Sequence, residues 1–290
     1  MRILLLIVTN LAVTMLLGAV FVGLELAGVL PEGQWGALFA SSVIFGFGGS
    51  FVSLLISKPM AKWSMRVRVI EQPRDELEAW LLRTVQQHAQ GARIGMPEVG
   101  IYDSPDPNAF ATGWSRDHAL VAVSSGLVSS MSPDQLAAVL GHEVAHAANG
   151  DMVTLTLLQG VLNTFVLFIS RVLGFVVDSA LSRGDRDRRG GGLAYTAVVM
   201  ITQLLLGLVA SAIVAWFSRQ REFRADEGGA QLTSPYAMAG ALDALRRADG
   251  PADMPKAMAA FGIHGGGFMR LFASHPPLEE RIQRLMAQGR

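Results

Sequence analysis

Four stretches of this 290-residue chain carry no charged side chain: Ile3 to Leu24 (22 residues), Trp35 to Ser57 (23), Met152 to Ser170 (19) and Leu193 to Phe217 (25). A helix needs about 20 apolar residues to cross a hydrocarbon core of about 30 Å, so runs of this length constrain the fold first. Pro31, Glu32 and Gly33 link the first two, which suits a tight hairpin between two spans. The first run is longer than the roughly 7–15 apolar residues of a signal-peptide core, and a second span follows it at once, so it reads as a retained anchor. The later pair reads as two more full spans, with a hairpin buried in a soluble domain as the alternative.

Composition agrees. Only 17% of residues are charged and 51% are hydrophobic, against about 25% charged in an ordinary soluble domain. The 24 basic and 24 acidic side chains cancel, which argues against nucleic acid as a partner. With no cysteine, a disulfide scaffold, a thiolate zinc cluster, an iron–sulfur site and a cysteine nucleophile are excluded. The apolar content excludes a disordered chain.

Orientation follows from basic residues beside the spans. Lys58, Lys62, Arg66 and Arg68 follow the second run with no acidic residue between them, whereas the Pro31–Gln34 link has none. Both ends of the first hairpin, and the chain after Lys58, are therefore expected in the cytoplasm. Arg183, Arg186, Arg188 and Arg189 in the 178–192 connection partly oppose this if the second hairpin spans.

Between the runs the pattern is α+β. Arg74 to Gln90 is predicted helical, with Leu77, Leu81 and Val85 on one face. Pro97 to Tyr102, Asn108 to Thr112 and Ala119 to Ser124 fit short strands of a small sheet. Ser132, Pro133 and Gln135 form a helix start with a capping box, and that helix is expected to run to Asn149 and stop at Gly150.

This capped helix carries His142-Glu143-Val144-Ala145-His146. Residues four apart share a helix face, so both imidazoles can hold one ion, and zinc accepts neutral histidine nitrogen well. Glu143 stands about 100° round the helix, beside the ion, where it can act as a general base toward water. A catalytic zinc needs a third protein ligand. Asn149 and Met152 occupy positions where a metzincin would have glycine and histidine, so the ligand must come from Asp151, Asp178, Glu222, Asp226, Glu227, His264 or His275. Asp151 is too near along the same helix, and Asp178 lies at the far end of an apolar run. Glu222 follows the last run, and Asp226 is one helical turn further on. Glu222 is therefore taken as the ligand and Asp226 as the group that orients a ligating imidazole; a snorkelling charged helix end is the alternative. His88, His118 and His264 read as structural or surface residues.

The amino-terminal hairpin, Pro-Asn108-Ala109-Phe110, Gly-His142-Glu-Val-Ala-His146, Arg-Glu222-Phe-Arg-Ala-Asp226 and His275-Pro-Pro-Leu-Glu-Glu-Arg281 occur in an order that resembles the HtpX-type heat-shock membrane proteases, bacterial relatives of the CAAX prenyl proteases. The resemblance covers nearly the whole chain. It implies a mainly helical, zincin-like metalloprotease domain with a small β-sheet, in a multi-pass protein of the cytoplasmic membrane that degrades misfolded or damaged membrane proteins under stress. It implies one zinc held by His142, His146 and Glu222, with Glu143 as base. Asn108, with Ala109 and Phe110, would face substrate, and His275 and Arg281 the developing oxyanion. On the residues alone, Asn108 is also a common turn residue, and Arg281 can equally pair with Glu279, Glu280 or Asp226.

The domain division that follows is 1–57 for the first hairpin, 58–151 for the first part of the protease domain, 152–217 for the second hairpin and 218–290 for the remainder. An extended substrate is expected to pair along the Asn108–Thr112 strand. Two other readings are open to the sequence: an intramembrane protease of the site-2 type, and a membrane-anchored chaperone or scaffold with structural zinc. The motif helix starts with Asp134 and Gln135 and ends before the apolar run, against the first; the intact Glu143 stands against the second.

Overall fold

A computed structural model describes residues 35–181, 192–248 and 275–288. The first apolar run and His264 lie outside the described residues. The helices are α1 (Trp35–Ser64), α2 (Glu76–Ala92), α3 (Ser125–Ser130), α4 (Pro133–Asn149), α5 (Asp151–Leu181), α6 (Leu193–Leu232), α7 (Pro235–Ala248) and α8 (Leu278–Gln288); the strands are β1 (Arg68–Val69), β2 (Glu98–Tyr102), β3 (Ala109–Gly113) and β4 (Ala119–Ser124). The fold is thus mainly helical with one small mixed sheet. It divides into two compact units, residues 1–53 with 154–214, and residues 54–153 with 215–290.

The first unit is built from apolar helix. Helices α1, α5 and α6 are each long and apolar enough to cross a membrane. Several of their polar side chains bond within the unit, as a medium without water favours. Ser42 and Ser50 donate to the carbonyls of Leu38 and Gly46 at 2.8 and 3.0 Å, and Thr164 to that of Gly160 at 2.8 Å. Arg171 Nη1 donates to Ser42 Oγ at 3.1 Å. Leu204, Leu205 and Val209 remain exposed, as lipid-facing side chains would. Helix α5 continues to Leu181, so Asp178, read from sequence as the start of a connection, is helical and buried.

The second unit holds the sheet, in the order β1-β2-β4-β3. Strands β2 and β4 are parallel, with Glu98 opposite Leu120 and Tyr102 opposite Ser124. Strand β3 runs antiparallel to β4, with Ala109 opposite Val123 and Gly113 opposite Ala119, and it forms an edge. All six residues of β4 are buried, which suits a central strand of Leu, Val and Ala. Helices α2, α4 and α7 pack with the sheet through Leu81, Val85, Val121, Val123, Leu140, Val144 and Leu242.

Two details differ from the sequence pattern. The buried face of α2 holds Glu78, Leu81, Val85 and Ala89, while Leu77 is exposed. Glu78 is tolerated there because Arg68 Nη1 donates to its Oε1 at 2.6 Å and the Arg74 N–H to its Oε2 at 2.8 Å. The end of α1 is tied to the sheet by Lys58 and Lys62, which both pair with Glu98 of β2.

Candidate metal centre and catalytic cleft

Helix α4 begins where Ser132 Oγ accepts from the Gln135 N–H at 3.4 Å and Gln135 Oε1 accepts from the Ser132 N–H at 3.0 Å, a complete capping box. It ends at Gly150 in the left-handed conformation, φ 69°. That turn separates α4 from α5 and lets the chain double back beside His146. Gly229 of α6 lies against the backbone of α4: a Cβ there would stand 2.9 Å from the His142 nitrogen. Absence of a side chain at that crossing brings the end of α6, with Glu222 and Asp226, to the motif helix.

Three donor groups converge in consequence. His142 Nε2 and His146 Nε2 are 3.1 Å apart. Glu222 Oε2 is 3.6 Å from the former, and Glu222 Oε1 is 3.3 Å from the latter. Tetrahedral ligands at about 2.0–2.1 Å from a zinc ion stand about 3.3–3.4 Å from one another, so the spacing of these atoms fits one ion. These residues are also the group of potential ligands that lies together among the described residues.

The far sides of both rings support the fit. His146 Nδ1 lies 2.7 Å from Asp151 Oδ2 in hydrogen-bond geometry. His142 Nδ1 lies 2.9 Å from Asp226 Oδ1, within ion-pair reach though off line for a hydrogen bond. Carboxylates beside Nδ1 favour a proton on that nitrogen over one on Nε2. In the metal-free protein, protons take the place of the cation. Burial alone would lower the His146 pKa, but the Asp151 and Glu222 carboxylates outweigh it and push it up to about 10. The same opposition, with Asp226 and Glu222 as the partners, leaves His142 raised.

Further groups close the site. Arg281 of α8, itself buried, donates from Nε to Asp226 Oδ2 at 2.7 Å and from Nη2 to Oδ1 at 2.6 Å; its Nη1 is 3.4 Å from Glu222 Oε2. Of the partners weighed from sequence for Arg281, the structure pairs it with Asp226. His275 Nδ1 is 2.9 Å from Glu222 Oε2, with the ring 64% exposed on the open side. A cleft of about 690 Å³ runs past these residues, lined among others by Asn108, Ala109, His142, Glu143, Glu222 and His275 and by the apolar Met238, Leu242 and Leu278. Glu143 thus opens onto the same space as these donor groups.

Phe110 does not line this cleft; its ring packs on Tyr102 at a centroid distance of 5.6 Å. Asn108 is held by its backbone, its N–H donating to Ser124 Oγ at 3.0 Å and its carbonyl accepting from the Ser124 N–H at 2.9 Å. His88 bonds the Ala137 carbonyl at 3.0 Å, and His118 stacks on Trp114, both away from the ligands. Asp151 and Ser124 are the site residues that pattern alone passes over. Asp151 was weighed as a ligand, not as a partner of one; the signal that could have found it is the Gly150 cap, which lets position 151 fold back.

An H-E-x-x-H helix completed by a glutamate from a later helix is the arrangement of the gluzincin class of metallopeptidases, and fold and site together put this protein in that class. The chain belongs to peptidase family M48, which it matches over residues 75–288. It is 54% identical over 296 residues to the Protease HtpX of Thioalkalivibrio sulfidiphilus (strain HL-EbGR7), an alignment covering 100% of this chain and 99% of the relative. To the Protease HtpX of Xanthomonas euvesicatoria pv. vesicatoria (strain 85-10) it is 55% identical over 289 residues, covering 99% and 97%. The crystal structure of S. mikatae Ste24p superimposes with a TM-score of 0.59 at 17% identity, over 98% of this chain and 66% of that one, so the two share a fold. The protein is a membrane-bound metalloprotease.

Proposed function

We propose that the protein is a zinc endopeptidase of the cytoplasmic membrane, with one zinc per chain, that cuts misfolded or damaged membrane proteins. The observation that carries this reading is the convergence of His142, His146 and Glu222 at separations of 3.1 to 3.6 Å with Glu143 on the same cleft. Zinc, which these three residues would hold, would supply Lewis acidity for the attacking water and the scissile carbonyl.

The chain's own residues do the rest. The Glu143 carboxylate takes a proton from the attacking water and returns it to the leaving amine. Asp226 holds the His142 imidazole, and Arg281 holds Asp226. His275, on the open side, offers an imidazole donor to the carbonyl oxygen as negative charge develops there, with Arg281 adding positive charge behind it. Strand β3 is an edge that begins at the cleft with Ala109. A substrate in extended conformation pairs with it backbone to backbone beside Asn108, Ala109 and Phe110, a mode that reads unfolded chain more than sequence. The basic cluster Lys58, Lys62, Arg66 and Arg68 favours a cytoplasmic protease domain.

The test is Glu143→Gln in the full-length protein, scored by metal content and by cleavage of an unfolded protein such as casein, with and without chelator. The expected result is one zinc in both proteins and a loss of cleavage of about 10²–10⁴-fold in the variant. Equal cleavage by both would overturn the role of Glu143, and activity insensitive to chelator would overturn the metal.

A further inference from the structure

The residue on the far side of His146 belongs to a long apolar helix and not to the motif helix. Asp151 is the first residue of α5, a helix long and apolar enough to span a bilayer. Its carboxylate does not point to water: the residue is 2% exposed. Oδ2 sits 2.7 Å from His146 Nδ1, and Oδ1 is 3.9 Å from Arg224 Nη2 on α6. An acidic residue in the first turn of a helix is ordinarily explained by the unsatisfied N–H groups and the dipole there, and such a role asks for no imidazole. Here the short, aligned contact is to the ring, and it is made possible by the left-handed Gly150 just before.

We propose that Asp151 is a positioning residue for the metal: it holds the His146 ring and fixes its proton on Nδ1, so that Nε2 is free to ligate. The inference rests on the reading of His142, His146 and Glu222 as the zinc ligands. Its consequence is that the two long apolar helices each contribute to the metal centre: the first residue of α5 orients one histidine, and the turns of α6 after its apolar run carry Glu222 and Asp226. Asp226 does for His142 what Asp151 does for His146, but the Asp151 contact is the shorter and better aligned of the two.

The experiment uses the full-length protein in detergent, with Asp151→Asn, Asp151→Ala and His146→Ala. It reads zinc affinity by chelator competition, the visible spectrum of the Co²⁺-loaded protein, and the melting temperature of the metal-free protein. Loss of such a partner weakens metal binding by about 10–100-fold. Asp151→Ala is expected in that range with a shifted Co²⁺ band. Asp151→Asn, whose amide oxygen still accepts from Nδ1, should fall between it and wild type, and both should still take one metal at saturation. Asp151→Ala within about twofold of wild type, with an unchanged Co²⁺ spectrum, would overturn the proposal while the zinc reading stood, provided His146→Ala lost the metal. Equal losses in the two Asp151 variants with a collapsed metal-free melting temperature would also overturn it, since the residue would then only hold the fold. Metal binding by His146→Ala at wild-type affinity would instead remove the zinc reading itself.

Discussion

Arg281 grips Asp226 through two parallel hydrogen bonds, Nε to Oδ2 at 2.7 Å and Nη2 to Oδ1 at 2.6 Å, across 55 residues of sequence. Both residues are buried, and Asp226 in turn lies 2.9 Å from His142. The guanidinium therefore neutralises a carboxylate that lies against His142 and that the interior would otherwise penalise. Helix α8 is locked to α6 by the same contact.

Removing the arginine should expose that dependence. Arg281→Ala leaves Asp226 buried without its partner, a loss of about 3–5 kcal/mol by the usual measure of broken buried pairs. Arg281→Lys keeps the charge but not the fork and should lose less. Denaturant unfolding of the three proteins checks the order; an alanine variant as stable as wild type would mean that the pair contributes no net stability.

Ser124 ties together the rim where substrate is proposed to enter. Its Oγ accepts from the N–H groups of Asn108 and Leu127, each at 3.0 Å, and donates to the Asp106 carbonyl at 2.8 Å. Ser124→Ala leaves these groups unpaired around a fully buried position, and such losses cost about 1–3 kcal/mol per group. With the 106–109 segment loosened, the Michaelis constant for an unfolded substrate should rise more than the turnover number falls. A turnover defect at unchanged Michaelis constant would place Ser124 outside substrate binding.

Much of this was legible in the residues and some of it was not, for physical reasons. The limits of α4 were readable because its start and stop are local chemistry: a capping box at Ser132 and a left-handed glycine at 150. The strands were readable to within a residue for similar reasons. Periodicity found Leu81 and Val85 on the buried face of α2 but not its edge: Leu77 is exposed, and Glu78 is buried by virtue of Arg68, a partner on β1. Strand β1, with two residues, is too short to leave a pattern. Glu222 could be singled out from its place after an apolar run, and the structure does bring it to the two histidines, whereas the contact of Asp151 with His146 could not be foreseen, since it depends on the turn at Gly150.

Gly229 marks the crossing that brings Glu222 to the histidines. A Cβ at this position would meet the His142 nitrogen at 2.9 Å and its Cα at 3.1 Å, both backbone atoms that cannot step aside. Gly229→Ala should therefore push α6 from α4 and cost about 1–3 kcal/mol as an overpacked core does. Because His142 and Glu222 lie on the two separated helices, zinc affinity should fall along with stability. A variant with wild-type affinity would show that the helices reseat without moving the ligands.

The metal-free histidines predict how loading depends on pH. His146 has its pKa raised from 6.5 to about 10 by Asp151 and Glu222 against the opposing effect of burial. A raised folded value means that its contribution to the stability of the metal-free protein is complete below about pH 6.5 and is lost as pH rises through about 10. The metal-free protein should therefore melt at progressively lower temperature between pH 7 and 10, with other groups held constant. Zinc competes with the same proton, so its affinity should rise over that interval, by about tenfold per pH unit for each proton displaced. Calorimetric titration at pH 8 in buffers of different ionisation enthalpy counts the protons directly, and about one or more should leave per zinc bound. Zinc binding that releases none at pH 8 would mean that both imidazoles are already neutral, and that the carboxylates around them do not hold a proton in place of the metal.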